Sequence, residues 1–85
     1  MKYIFVDESW EDYLYWQKND RKILGRINDL LKDIARNPFS GLCKPEPLKY
    51  KYKGFWSRRI NEAHRLIYQV ADEEILIAKC RFQYD

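Results

Sequence analysis

The sequence predicts an α+β fold in which two N-terminal helices pack on one face of a small, mostly antiparallel twisted sheet. Three observations carry that prediction. Apolar residues recur at helical spacing through the first half of the chain. Three β-rich runs fill the second half, joined by connections short enough to imply antiparallel neighbours. The 85 residues include 14 aromatic side chains, three of them tryptophan, so one modest core can support a single domain over 1–85.

The elements follow in order. Residues 2–6, from Lys2 through Tyr3, Ile4 and Phe5 to Val6, make a short β-rich run. Ser9 with Asp12 three positions on has the form of a capping box, which predicts a helix with Trp10, Tyr13, Leu14 and Gln17 as its inward stripe. Asp20 is expected to N-cap a second helix. Its apolar positions Ile23, Leu24, Ile27, Leu30, Leu31 and Ile34 keep the 3.6 period, and Asn37 with Pro38 ends it. Gly25 costs that helix roughly 1 kcal/mol relative to alanine, which close packing would explain. Two prolines and Gly41 make residues 39–47 a loop, Lys53 and Gly54 make a turn, and strands are expected over 55–61, 64–71 and 74–83, with Asp72 and Glu73 turning the last pair. Helices on one face leave the other free for a ligand.

No repeat or low-complexity tract interrupts the chain. Cys43 and Cys80 could form at most one bridge and have no metal-ligand spacing with the only histidine, His64, so both are expected as reduced thiols of a cytoplasmic protein. The apolar stretch at the N-terminus meets Asp7 and Glu8 too soon for a signal-peptide core, and no run approaches a membrane span. Net charge is +3, and its excess lies in the second half: residues 1–43 hold seven basic and seven acidic groups, residues 44–85 nine and six. That asymmetry favours a nucleic acid or an acidic peptide as partner.

Between Lys44 and Arg59 stand six basic residues and one carboxylate, Glu46, held between Pro45 and Pro47. Positive surroundings hold phosphates close and favour the ionised form of a neighbouring acid, so Glu46 is a candidate base set against a polyanion. A plain surface acid paired with Lys44 or Lys49 is the alternative. Strand alternation puts Leu66, Tyr68 and Val70 on one face and Arg65, Ile67 and Gln69 on the other. In the last strand Leu76, Ala78, Cys80 and Phe82 share one side, leaving Ile77, Lys79, Arg81 and Gln83 opposite. Arg59 shares parity with Phe55 and Ser57, so Arg59, Arg65 and Arg81 can project from neighbouring strands toward a phosphate; solvated sheet positions are the alternative for each. The aromatics Tyr50, Tyr52 and Trp56 suit either an interface or packing over the sheet edge.

Several blocks then carry a resemblance: Ser9, Trp10, Glu11, Asp12, Tyr13, Leu14, Tyr15, Trp16 and Gln17; Lys44, Pro45, Glu46, Pro47, Leu48 and Lys49; Gly54, Phe55, Trp56, Ser57, Arg58, Arg59 and Ile60; and His64, Arg65, Leu66, Ile67 and Tyr68. Taken in order over nearly the whole chain, they resemble the YoeB family of bacterial toxins. The resemblance implies a RelE/ParE-type fold and the toxin of a type II toxin–antitoxin pair, a ribosome-dependent endonuclease that cuts messenger RNA in the A site. It implies silencing by the disordered C-terminal segment of a cognate antitoxin, contact with operator DNA only through the antitoxin complex, and a homodimer as one assembly. No metal or cofactor is implied. By motif, Glu46 takes the role of base for the ribose 2′-hydroxyl and Arg65 that of phosphate stabiliser. Lys49 and Arg59 are further phosphate contacts, and Tyr84 belongs to the C-terminal part of the site.

The chain departs from that pattern at its end. Family members typically close on arginine, aromatic, histidine, tyrosine, whereas here Arg81, Phe82, Gln83 and Tyr84 precede Asp85. Glutamine donates a hydrogen bond but cannot titrate, so Gln83 cannot be a general acid, and such a loss typically costs about 10²- to 10⁴-fold in rate. Three explanations stay open: an inactivating replacement, a natural low-activity variant, or protonation of the leaving group by Tyr84 or the ribosome. His64 matches a different family histidine and reads as structural. A module that binds antitoxin and co-represses an operator without catalysis is the alternative function, since the same groove suits an acidic peptide. A related branch of the fold poisons DNA gyrase, but Glu46, Arg65 and Tyr84 match the nuclease branch.

Overall fold

Hydrophobic spacing and turn chemistry divide the chain into β1 (Lys2–Phe5), α1 (Asp7–Asn19), α2 (Arg21–Arg36), β2 (Glu46–Pro47), a 3-10 turn (Tyr50–Tyr52), β3 (Trp56–Arg59), β4 (Arg65–Ala71) and β5 (Glu74–Lys79). The computed structural model describes residues 1–83. Its five strands form one sheet in the order β1-β5-β4-β3-β2, with β1 parallel to β5 and every other pair antiparallel. Both helices cover one face. There Ile27, Leu30, Leu31 and Ile34 of α2 and Trp16 of α1 are buried with Leu66, Tyr68, Ile75 and Ile77 of the sheet.

The second helix forms as its sequence predicts. Asp20 accepts hydrogen bonds from the Lys22 and Ile23 backbone N–H groups, and the Asn37 N–H closes the far end on the Asp33 carbonyl. Gly25 does not reflect close packing, because it is exposed and a Cβ there would meet nothing within 4 Å.

The first helix differs from its predicted form. It starts at Asp7 after Val6, with no side-chain cap, and Ser9 and Asp12 do not form a capping box. Instead the Ser9 hydroxyl donates to the Ile77 carbonyl at 2.6 Å, and the Asp12 carboxylate accepts from the Cys80 N–H at 3.1 Å. Burial raises the Asp12 pKa. Ser9 and Trp16 are therefore the buried pair of this helix, while Trp10, Leu14 and Gln17 are exposed. Helix-to-sheet hydrogen bonds rotate the inward face away from the richest aromatic stripe.

Alternation also breaks in the last strand. Tyr68 pairs with Ile77, but Ile67 pairs with Lys79, so Ala78 is the extra residue of a bulge. Ile75 and Ile77 face the helices and Cys80 joins them beyond the bulge, which corrects the strict alternation that put Ile77 opposite Cys80. Cys80 and Cys43 are both free thiols. Burial pushes the Cys80 thiol up to about 12, so it packs as a small apolar side chain.

The opposite face is not left fully open. Ile67 and Leu48 are buried yet stand outside the helix-side cluster. Residues 48–55 lie over this face: the Lys79 ammonium sits 5.9 Å from the Tyr52 ring centre, Tyr52 packs edge-on against Phe55, and a Cβ at Gly54 would lie 3.4 Å from the Gln69 amide. Glu46 stays exposed and Arg59 and Arg65 half-buried at the end of the sheet where β2, β3 and β4 begin or finish, and Ile4 stays exposed and Gln69 and Leu76 half-buried farther along the same face. Of the aromatics considered for an interface, Tyr50 is 92% exposed, while Tyr52 and Trp56 are half-buried.

One buried ion pair ties α2 to the sheet. Arg58 is 0% exposed and all five of its N–H donors are used: Nε on the Tyr68 hydroxyl, Nη1 on Asp33 and the Leu42 carbonyl, Nη2 on the Asn37 and Ser40 carbonyls. The Leu42 N–H and then Arg58 hold the Asp33 carboxyl below its ordinary value of 3.8. A carboxyl depressed on folding contributes stability that is complete above its unfolded pKa and lost as pH falls through the folded one. Urea midpoints of the wild type and Asp33→Asn should therefore converge as pH drops from about 5 to about 2. A constant gap across that range would contradict the assignment.

Candidate phosphate-binding site

Two prolines shape the strand that carries Glu46. Pro45 and Pro47 favour extended backbone, and an edge strand tolerates the missing donors, so Glu46–Pro47 forms a short antiparallel pair with β3. Glu46 lies opposite Ser57, Ser57 opposite Ile67, and Ile67 opposite Lys79. Paired residues project from the same face, so these four make one transverse row on the side away from the helices. Glu46 is thus a strand residue and not a loop acid. It is exposed, and among the described residues it makes no ion pair with Lys44 or Lys49.

Two residues along the same strands, Arg59 and Arg65 pair directly across β3 and β4. Both are half-buried. Like charges set opposite each other in a sheet repel, and an anion bound between them relieves that repulsion. The Arg59 Nε and the 1%-exposed Ser57 hydroxyl are enclosed without a hydrogen-bond partner among the described residues. Lys49 is exposed at the start of the 3-10 turn, just beyond β2.

The chain past β5 passes close to the same end of the sheet. The Phe82 carbonyl accepts from the Arg65 N–H at 3.0 Å, and the Gln83 side-chain amide donates to the Glu62 carbonyl at 2.7 Å. Gln83 thus follows a residue bonded to Arg65 and is itself tied to the turn before β4, while Tyr84 lies outside the described residues. Arg81 departs from the expected trio of sheet arginines. Its guanidinium stacks 3.4 Å from the Tyr15 ring centre on α1 and 4.5 Å from that of Phe82.

The residues that hold this arrangement were not singled out from sequence. Arg58 fastens the loop before β2 through three carbonyls, and the Arg59 N–H adds the Cys43 carbonyl at 2.9 Å. That loop carries left-handed backbone at Gly41, Cys43 and Lys44. A Cβ at Gly41 would overlap the Asp33 carboxylate. The signal was present: Asp33 interrupts the apolar stripe of α2, and Arg58 shares parity with core-facing Trp56.

The chain was also compared with known proteins. Residues 5–84 match the family described as the YoeB-like toxin of bacterial type II toxin–antitoxin systems. The chain is 58% identical over 84 residues to toxin YoeB of Escherichia coli K12, covering 99% of this chain and 100% of that one. Among solved structures, the YoeB–YefM complex from Staphylococcus aureus superposes with a TM-score of 0.92 at 46% identity, covering 99% of this chain and 98% of that one. A YoeB dimer from the same organism superposes with a TM-score of 0.93 at 47% identity, with the same coverage.

Proposed function

The chain belongs to the YoeB-like toxin family of bacterial type II toxin–antitoxin systems, and on that premise we propose that it is a ribosome-dependent endonuclease that cuts messenger RNA in the A site. The observation that carries the reading is the Arg59–Arg65 pair beside the Glu46 strand. Glu46 takes the proton of the ribose 2′-hydroxyl, whose oxygen then attacks the adjacent phosphorus. Arg65 binds the non-bridging oxygens as charge builds, since its fixed fork of donors can hold two of them at once. Arg59 and Lys49 draw the flanking backbone phosphates. No cofactor enters the scheme.

Departure of the 5′-oxygen needs a proton, and Gln83 has none to give. Tyr84 or the ribosome then has to supply it, at reduced rate. Gln83→His is expected to raise cleavage of ribosome-bound message at least about tenfold. Equal rates for the two proteins in a reconstituted translation assay would remove Gln83 from the account.

The partners follow from the same reading. A cognate antitoxin covers the basic end of the sheet with a disordered acidic C-terminal segment, and operator DNA is reached only through that complex. A homodimer is the other assembly. Messenger RNA and the ribosomal A site are the targets, which places the protein in the cytoplasm; among the described residues no helix is long and apolar enough to cross a membrane. Gln83 also favours a second reading, a catalytically silent module that binds antitoxin and co-represses its operon. Growth arrest on inducible expression without antitoxin separates the two.

A further inference from the structure

We propose that His64 is a positioning residue: its neutral imidazole holds the C-terminal segment against the start of β4, and so sets residues 82–83 beside Arg65. The proposal rests on the nuclease reading for its catalytic consequence, but not for the clamp itself. The Nδ1 atom of His64 accepts the Phe82 backbone N–H at 2.7 Å, and the next residue, Arg65, donates its own N–H to the Phe82 carbonyl at 3.0 Å. Phe82 is therefore gripped at both ends of its backbone by consecutive residues. It needs that grip, because its φ of 63° is left-handed, a conformation that is uncommon for a bulky residue and is not held by local preference.

The imidazole is itself fixed. Its ring packs edge-on against Trp16 at 4.7 Å between centres and tilts against Phe82 at 5.8 Å. Trp16 is buried, and its indole N–H donates to the Cys80 carbonyl at 2.8 Å. Core, imidazole and C-terminal segment thus form one connected stack. Accepting at Nδ1 requires the ring's one proton to sit on Nε2, so the bond exists only in the neutral ring. Burial, followed by the Arg81 charge, lowers the His64 pKa against an opposing effect of Asp12, which agrees with a neutral ring.

Asparagine and glutamine separate the clamp from simple filling of space. The Asn carbonyl oxygen falls near the place of Nδ1, whereas the Gln amide reaches only the place of Nε2. Amide hydrogen exchange of Phe82, read by NMR, should be slow in the wild type and in His64→Asn and at least about tenfold faster in His64→Gln. Equal exchange in all three overturns the clamp. In the Gln83→His background, His64→Gln should lower kcat for cleavage of ribosome-bound message about 10- to 100-fold with KM changed less than about twofold, and His64→Asn should restore most of it. An unchanged kcat alongside fast Phe82 exchange overturns the positioning role. Intact protection with no cleavage by any of these proteins counts against the nuclease reading and leaves the clamp standing.

Discussion

Glu46→Ala is expected to lower cleavage of ribosome-bound message about 10²- to 10⁴-fold, in the wild-type and the Gln83→His backgrounds alike. Glu46 is exposed on a two-residue edge strand and its side chain makes no ion pair among the described residues, so its removal should leave the fold intact. Arg65→Ala should cost roughly 10²- to 10³-fold through lost phosphorane stabilisation. Arg65→Lys should recover part of that loss, because it keeps the charge and loses the fork. These variants share one control: thermal unfolding within a few degrees of wild type. If either alanine variant stopped growth as the wild type does, the site would be wrongly placed.

Removing Asp33 should have the opposite signature, a collapse of stability before any question of activity. Asp33→Ala leaves the wholly buried Arg58 without its counter-charge, and breaking a buried pair in this way typically costs about 3–5 kcal/mol. For a domain of this size that corresponds to a fall in Tm of roughly 15 °C or more. The double variant Asp33→Leu, Arg58→Leu should recover only part of the loss. It removes both charges, but the carbonyls of Asn37, Ser40 and Leu42 lose their donors too. A thermal scan in which Asp33→Ala melts with the wild type would show that the pair holds nothing together.

Some elements were legible because local rules decide them. Asp20, the 3.6-period stripe from Ile23 to Ile34 and the Asn37–Pro38 stop act within a few residues of one another, and α2 forms as they specify. The first helix was legible in extent but not in phase. Trp10, Tyr13, Leu14, Tyr15 and Trp16 put large side chains at too many positions, and the choice among them is made by hydrogen bonds that join Ser9, Asp12 and Trp16 with Ile77 and Cys80, some 64–71 residues away. The bulge at Ala78 is likewise set by the pairing partner, Ile67 and Tyr68, and leaves no mark in the strand's own sequence.

The site divides along the same line. Arg59 and Arg65 share one face of the sheet, as alternation within each strand predicts. Arg81 does not join them, because it lies past the bulge and past the end of β5, where alternation no longer applies, and Tyr15 captures its guanidinium. Glu46 stood out through its place between two prolines in a basic stretch, but its neighbours in the transverse row, Ser57 and Lys79, depend on long-range register. The cover over the second face comes from an irregular segment, 48–55, whose path no periodicity describes.

Mapping cleavage ends on a message translated in a reconstituted system bears most directly on the claim that this sheet edge is a ribosome-dependent nuclease. Wild type, Gln83→His and Glu46→Ala would be compared with ribosomes halted at a defined codon. New ends are expected inside the A-site codon, stronger with Gln83→His, absent with Glu46→Ala, and absent for all three when the same RNA is free of ribosomes. Ends that appear on free RNA, or growth arrest by the wild type and Gln83→His with no ends on any message, would contradict that claim.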